Sequence, residues 1–302
     1  MKAVLGIDIG GTNGKLGLVA ENGEVVETRR FSTRDCIEYS MFLNELKRCQ
    51  DELHSIAKDR GLQLRGVGIG VPNYNPKTGY LVSPPNLKWG NVYFLKDMKD
   101  IFGEKVCIEN DANVAALGEA SFGVAKGIND YIVVTVGTGI GTGIVVNGEI
   151  VHGESGIGGE GGHLCIVPNG RQCGCGGRGH FEAYCSVTGM KNTYKEMFGE
   201  DIHYRELAPM FINGDKDAIT VFEKSAAHFG IALSQFAVLF SPKKIILAGG
   251  GMMVGERFLK MIQDEFEKQI YPPLRGRVEV SVSTKEVLNG AVLGAASLIL
   301  SK

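Results

Sequence analysis

This chain of 302 residues lacks two kinds of segment that would point to a membrane or to secretion. No stretch approaches the roughly 18 uninterrupted apolar residues of a membrane-spanning helix. The apolar run near the N-terminus is too short for a signal peptide and meets Asp8 at once. These absences predict a cytoplasmic protein with no membrane partner.

The chain also lacks a run dense in Lys and Arg, and its formal net charge is only −2. A protein whose main partner is nucleic acid usually carries a basic patch or stripe. We therefore expect a small-molecule ligand and no nucleic-acid partner. Seven cysteines, an odd number without a secretion signal, favour reduced thiols and metal ligation over a disulfide framework.

One pattern is present twice, about 125 residues apart. Each copy contains a strand, a Gly-Thr turn, a second strand, an Asn-Gly turn and a third strand. The turns are Gly11-Thr12 and Asn22-Gly23 in the first copy, and Gly137-Thr138 and Asn147-Gly148 in the second. Asn-Gly between β-branched runs is a strong hairpin signal, so each copy predicts a three-stranded antiparallel meander.

The duplication predicts an α/β fold of two similar lobes with a cleft between them. We expect the first lobe to span residues 1–118, completed by a helix at 290–302, and the second to span 119–289. Amphipathic stretches near 39–59 and 217–240 predict one helix after each hairpin. With 44% hydrophobic residues, the chain is large enough for two cores.

The Gly-Thr turns are candidate phosphate-binding elements. Glycines let backbone N–H groups approach an anion, and a Thr hydroxyl donates one more hydrogen bond. Two such turns facing one cleft would hold one polyphosphate, and Asp8 would hold a magnesium ion through water. Neither turn fits the Walker pattern, and a ligand-free hairpin is the alternative for either turn alone.

A third glycine cluster, at residues 249–251, follows an apolar run that predicts a strand. Ligands of α/β sheets bind beyond the carboxyl ends of strands, which would place the ribose or α-phosphate of a nucleotide there. A loop that only leads into a helix is the alternative.

Four candidate metal ligands lie within eighteen positions, close to two carboxylates, Glu160 and Glu182. Structural zinc takes four tetrahedral N or S ligands from closely spaced loops. The four side chains are His163, Cys173, Cys175 and His180. A single residue separates the two cysteines, which is not zinc-finger spacing, so buried cysteines near a chance histidine are the alternative interpretation.

Asp111 is the candidate general base. It lies where a predicted strand ending at Glu109 meets a good helix former, so it belongs at a helix start. A simple N-cap is the alternative role. We expect the helix dipole and free amides to lower its pKa and keep it charged. Asn110, together with Glu160, His163 and Glu182, would supply the hydrogen bonds that a polyhydroxyl ligand needs.

Together these motifs resemble those of the ROK family of sugar kinases, repressors and open reading frames, within the actin, hexokinase and Hsp70 superfamily. The resemblance spans nearly the whole chain. The phosphate motifs are similar at 8–12 and 137–141, the adenosine motif at 248–251, the catalytic segment at 109–111, and the sugar and zinc signatures at 160–163 and 173–176.

The resemblance implies an ATP-dependent hexose kinase with two actin-like lobes, Mg²⁺ accompanying ATP, and a structural Zn²⁺. Asp111 would be the general base. The implied sugar-binding residues are Asn110, Asp111, Glu160, His163 and Glu182. The implied zinc ligands are His163, Cys173, Cys175 and His180. The implied ATP- and phosphate-binding residues are Asp8, Gly10, Gly11, Thr12, Lys15, Gly137, Thr138, Gly139, Gly249 and Gly250.

Conversion of glucose to glucose 6-phosphate is the first expectation for the reaction. Kinases of N-acetylmannosamine, N-acetylglucosamine, fructose and allose in this family carry nearly the same residues, and a non-catalytic sugar-sensing regulator is a further alternative. We expect a homodimer or homotetramer. Two residues depart from the family pattern: His180 stands where a third Cys is expected, and Asn73 stands where Gly is frequent in a loop near the sugar.

Overall fold

A computed structural model describes residues 2–82, 84, 87, 89–103, 105–283 and 291–300. The chain forms two compact units. Unit 1 contains the described residues of 1–127, 152–158 and 284–302, and unit 2 contains 128–151 and 159–283. Residues 119–127 and 152–158 therefore belong with the first unit, although their positions in the sequence suggested the second.

Unit 1 is built on a five-stranded sheet in the order β3-β2-β1-β4-β7, accompanied by a short β5-β6 hairpin. The strands β1 to β3 are antiparallel, and β1, β4 and β7 are parallel. The strands are β1 (Lys2–Ile9), β2 (Asn13–Ala20), β3 (Val25–Ser32), β4 (Gln63–Gly70), β5 (Tyr74–Asn75), β6 (Tyr80–Leu81) and β7 (Val106–Glu109).

The helices of unit 1 are α1 (Tyr39–Asp59), α2 (Phe94–Phe102), α3 (Asp111–Phe122) and a C-terminal helix (Ala291–Leu300). The predicted helix near 39–59 is confirmed by α1, which buries one apolar stripe that includes Phe42, Leu46 and Leu53. The C-terminal helix covers the described part of the predicted helix at 290–302; residues 290, 301 and 302 lie outside the described residues.

Unit 2 repeats the arrangement with a sheet in the order β10-β9-β8-β11-β12. Again a three-stranded antiparallel meander is extended by two parallel strands. The strands are β8 (Tyr131–Val136), β9 (Ile140–Val146), β10 (Glu149–Ile150), β11 (Lys244–Ala248) and β12 (Glu279–Val282). The matching strand orders confirm the predicted α/β class with two similar lobes.

The helices of unit 2 are α4 (Glu182–Cys185), α5 (Val187–Phe198), α6 (Tyr204–Ile212), α7 (Lys216–Phe240) and α8 (Glu256–Gln269), with single 3₁₀ turns at Gly161–His163, Gly250–Met252 and Pro272–Leu274. The helix predicted near 217–240 is confirmed by α7. Its fully buried Phe222 and Phe229 make edge-to-face contacts with Phe258 of α8. These three rings belong to the hydrophobic core of this unit.

The Asn-Gly turns form as their chemistry requires. Gly23 and Gly148 adopt positive φ angles of 87° and 82°, which glycine tolerates best. The Asn22 side chain accepts a hydrogen bond from the amide of Glu24, and the amide of Asn147 donates to Asp130. Among the described helices, none is both long and apolar enough to cross a membrane.

The C-terminal helix packs closely on the sheet of unit 1 because two strand positions carry no side chain. A Cβ atom on Gly68 of β4 would overlap the carbonyl oxygen of Ala295, and one on Gly6 of β1 would overlap that of Val292. Because the overlapping atoms belong to the backbone of the helix, a side-chain rotation could not relieve the clash.

We therefore expect Gly68→Ala to destabilise unit 1 by roughly 1–3 kcal/mol, as overpacking usually does. Thermal unfolding followed by circular dichroism measures the loss as a lower Tm. Gly250→Ala is the control, because a Cβ atom there would meet nothing within 4 Å. An unchanged Tm for Gly68→Ala would contradict the packing of this helix on the sheet.

Candidate functional site

The four candidate metal ligands of unit 2 converge. One donor atom from each of His163, Cys173, Cys175 and His180 lies within 4.8 Å of all the others. Cys173 Sγ is 3.8 Å from His163 Nδ1, and Cys175 Sγ is 3.2 Å from His180 Nδ1. Tetrahedral zinc, with bonds of about 2.0 Å to nitrogen and 2.3 Å to sulfur, separates its ligands by roughly 3.3–3.8 Å. The donor set fits structural zinc.

Backbone pairing brings these residues together. The amide of Ile166 donates to the carbonyl of Gly179, and the amide of Phe181 donates to Leu164, so two short segments run antiparallel. Between them, Cys173 and Gly177 pair across a tight turn. A Cβ atom on Gly177 would overlap the His180 imidazole, which explains the need for glycine there.

Cys173 is nearly inaccessible to solvent, at 4% exposure. Burial is the main reason that its pKa rises to about 11. The backbone amide of Cys175 opposes this rise, whereas the Cys175 thiol and the charge of Glu182 add to it. A thiolate at this position therefore needs a nearby cation to form at neutral pH. A divalent metal held by the four donors would provide that cation.

Glu182, predicted to bind sugar, contacts protein groups of unit 2. It is the first residue of α4, and its Oε2 accepts a hydrogen bond of 2.9 Å from the amide of Ile140. Its Oε1 lies 3.5 Å from Cys173 Sγ. Glu182 thus connects the cysteine loop to the turn that holds Gly137, Thr138 and Gly139.

That turn is also held from the start of α5. The amide of Val187 donates to the carbonyl of Gly137, and the Thr188 hydroxyl donates to the carbonyl of Thr138. The backbone groups that a phosphate would meet are therefore set in place by neighbouring elements. The glycine cluster at residues 249–251 connects β11 to the 3₁₀ turn at Gly250–Met252. Gly249, immediately before that turn, has a φ of 95°.

The remaining predicted residue of unit 2, Glu160, is exposed and precedes the 3₁₀ turn that ends at His163. Thr142 of β9 fixes this point of the chain, since its hydroxyl oxygen accepts from the amide of Gly161 at 2.7 Å and donates to the carbonyl of Gly159. Glu160 and His163 are consequently held on one short, well-anchored turn.

In unit 1, the first Gly-Thr turn follows β1 directly. The amide of Gly10 donates to the carbonyl of Asn13, and the Thr33 hydroxyl donates to the carbonyl of Gly10 at 2.6 Å. Asp8 lies opposite Lys15 across the β1-β2 ladder. All these residues sit at one end of the first hairpin.

The charge of Asp111 acts on Asp8. Burial, and secondly the negative charge of Asp111, raise the pKa of Asp8 to about 6, while Lys15 acts in the opposite direction. Lys15 itself has a lowered pKa, chiefly because of burial. Two carboxylates held close together are a suitable place for a divalent cation. The residues present fit Mg²⁺, with Asp8 as the group that would hold it.

Asp111 opens α3, but the N-cap is Asn110. The Asn110 side chain and Asp111 Oδ1 both accept from the amide of Ala112, each at 2.9 Å. Backbone amides at the helix start do act to lower the pKa of Asp111, but the expectation that its pKa is lowered overall is wrong. Loss of hydration within the surrounding protein raises it, and this outweighs the opposing hydrogen bonds from backbone amides. Asp111 nonetheless remains accessible to solvent.

Asn73, the second departure from the family pattern, has a left-handed backbone with a φ of 55°. Asn adopts this conformation more readily than other residues with a Cβ, so it can stand where glycine is frequent. Its side chain donates a hydrogen bond to the carbonyl of Val82 at 3.2 Å. The substitution therefore preserves the turn.

Residues 4–302 match the ROK family. A glucokinase from Thermotoga maritima is 30% identical over 98% of this chain and 96% of its own length. A xylose repressor from Bacillus spizizenii is 31% identical over 78% of this chain and 61% of its own length. The crystal structure of a ROK family glucokinase from Streptomyces griseus, in complex with glucose and AMPPNP, superposes with a TM-score of 0.84 and 28% identity over 99% of this chain and 100% of that one.

The paired sheets and their order thus define an actin-like α/β fold. The chain belongs to the ROK family.

The donor cluster predicts about one zinc ion per chain, and His180 is its least expected member. His180→Ala should weaken zinc retention, whereas His180→Cys should preserve it because Cys is a competent ligand. Zinc is measured by mass spectrometry after dialysis against a chelator. His54→Ala, at an exposed position on α1, is the control. Full zinc retention by His180→Ala would show that His180 is not a ligand.

The pKa of Asp8 predicts a stability effect with a definite sign. Folding raises this pKa from 3.8 to about 6, so the folded protein binds the proton more tightly than the unfolded chain does. Stability from this group falls as pH rises from about 4 to about 6 and stays low above that range. Asp8→Asn should therefore raise Tm at about pH 7.5 and change it little at about pH 4.

The Asp8→Asn measurement is made without nucleotide or Mg²⁺, and Asp51→Asn, at an exposed position of α1, serves as the control. A lower Tm for Asp8→Asn at about pH 7.5 would contradict the assignment of Asp8 as a destabilising, partly buried acid.

Proposed function

We propose that this protein transfers the γ-phosphoryl group of ATP to a hexose, most readily to glucose, forming glucose 6-phosphate. The chain is an ATP-dependent sugar kinase by its similarity to glucokinases along its whole length. The finer proposal rests on one observation of the structure. Asp111 is an accessible carboxylate at a helix start, and its pKa is raised above its ordinary value.

A general base works best when its pKa lies near the working pH, since it must be ionised and still attract a proton. Loss of hydration within the surrounding protein moves the pKa of Asp111 in that direction, although the side chain stays accessible to solvent. In the proposed mechanism Asp111 accepts the proton of the attacking sugar hydroxyl while Asn110 hydrogen-bonds the sugar. Glu160, His163 and Glu182 bind the remaining hydroxyl groups.

Phosphate binding is assigned to backbone groups and small side chains. In unit 1 we assign phosphate binding to the amides of Gly10 and Gly11, the hydroxyl of Thr12 and Lys15. In unit 2 we assign phosphate binding to the turn at residues 137–139, and adenosine binding to Gly249 and Gly250. Bound Mg²⁺ would neutralise charge on the phosphate oxygens, and Asp8 is the residue that would hold it.

Zinc has no part in the proton transfer in this proposal. His163, Cys173, Cys175 and His180 would bind the zinc ion. The bound ion would hold the loop at residues 163–180 in place, and Glu182 lies immediately after that loop. Since His163 and Glu182 are proposed sugar ligands, loss of zinc should raise the sugar KM more than the ATP KM.

A non-catalytic sugar-sensing regulator is the second candidate, because a xylose repressor is among the relatives. The presence of Asp8, Thr12, Asp111 and Thr138 favours the kinase, since a protein that only binds sugar has no need of a base or of phosphate-binding turns. A coupled assay of ADP release separates the two. Glucose, N-acetylmannosamine, N-acetylglucosamine, fructose and allose form the substrate panel.

With the preferred sugar, Asp111→Asn should lower kcat by at least ~10²-fold, the scale expected for removal of a positioned base. Sugar affinity, measured by calorimetry, should change little because Asn keeps the size and hydrogen-bonding capacity of the side chain. Asp51→Asn on α1 should retain wild-type kcat. Wild-type kcat in Asp111→Asn would remove Asp111 from the mechanism.

A further inference from the structure

A short segment of unit 1, residues 152–158, is here called the strap. The chain on both sides of the strap belongs to unit 2. The strap is a closed loop, since the amide of Gly158 donates to the carbonyl of His152 at 2.7 Å. The position of residues 152–158 therefore depends on the contacts that the strap makes with the rest of unit 1.

The strap is held at three points. His152 Nε2 lies 2.7 Å from Glu109 Oε2. The Asn75 side chain donates to the carbonyl of Ser155 at 2.9 Å. Lys77 contacts both the carbonyl and the carboxylate of Glu154, but these two side chains are exposed. The His152 contact is the one made to a buried charged group.

Glu109 is the last residue of β7, and only 6% of its surface is exposed. Its Oε1 accepts from the amide of Asn110 at 2.8 Å and from the side chain of Asn113 at 2.9 Å. Its backbone carbonyl accepts from the amide of Val71 at 3.1 Å. Glu109 is thus fixed on several sides at the junction of β7 with α3.

In the described part of the chain, His152 is the partner of the second carboxylate oxygen of Glu109. A buried carboxylate is costly unless both its oxygens are satisfied, and removing one partner can turn the side chain away from the others. Such a turn would release the backbone amide of Asn110, the residue whose side chain caps α3 immediately before Asp111.

We propose that His152 is a positioning residue for the sugar kinase reaction, acting through Glu109 to fix the junction on which Asn110 and Asp111 lie. The inference rests on the proposed roles of these two residues as sugar ligand and base. His152 itself touches neither the sugar nor ATP in this account. Its loss should disturb the sugar side of the reaction more than the nucleotide side, because the junction at residues 109–111 carries the proposed sugar ligand and base and none of the residues assigned to ATP.

The test compares His152→Ala, His152→Gln and Lys77→Ala by steady-state kinetics with the preferred sugar, with Tm recorded for each. His152→Ala should lower kcat/KM for the sugar by roughly tenfold or more, as small misplacements of a reacting group do, while the ATP KM stays within about twofold. His152→Gln should recover most of the loss, because the Gln amide can donate to Glu109. Lys77→Ala removes an exposed strap contact and should behave like wild type.

Each of the following results would overturn the inference: unchanged sugar kinetics in His152→Ala, no recovery in His152→Gln, or an equal loss in Lys77→Ala. An equal rise in both KM values would point to general damage and would overturn it too. If the wild-type protein binds a sugar without phosphorylating it, the proposed function fails alone, and the same three variants are compared by sugar Kd. If no sugar binds, both proposals fail.

Discussion

The convergence of His163, Cys173, Cys175 and His180 is the constraint on which the functional part of unit 2 depends. Between β10 and α4 the chain forms only one 3₁₀ turn, so regular secondary structure does not hold this region together. Backbone pairing and the donor cluster do. From there Glu182 reaches the amide of Ile140, which connects the cluster to the turn proposed to bind phosphate.

Unit 1 has a comparable constraint made of carboxylates. Asp8, Glu109 and Asp111 lie at or just beyond the ends of β1 and β7. Glu109 is satisfied by hydrogen bonds, whereas Asp8 and Asp111 have raised pKa values. Acids whose pKa values are strongly shifted by the surrounding protein are common at catalytic and binding sites. The raised pKa of Asp8 therefore supports its proposed role in binding a cation.

Local patterns in the sequence were enough to predict much of this molecule. Asn-Gly turns predicted both meanders, the duplication predicted two similar sheets, and ligand spacing predicted the four-donor cluster. The pKa of Asp111 was predicted in the wrong direction, because the helix start is visible in sequence and the surrounding protein is not. The strap was missed for a related reason: its link between Glu109 and His152 joins residues far apart in the chain, and no local pattern marks such a pair.

In the proposed reaction, the chain moves a phosphoryl group from ATP to the hydroxyl on C6 of a hexose. Phosphorus NMR of a mixture of the protein with ATP, Mg²⁺ and glucose measures this transfer. We expect the γ-phosphate resonance to disappear as one new phosphomonoester resonance grows, split by the pair of protons on C6. A resonance split by the single anomeric proton, or ATP left intact with every hexose of the panel, would contradict this proposal.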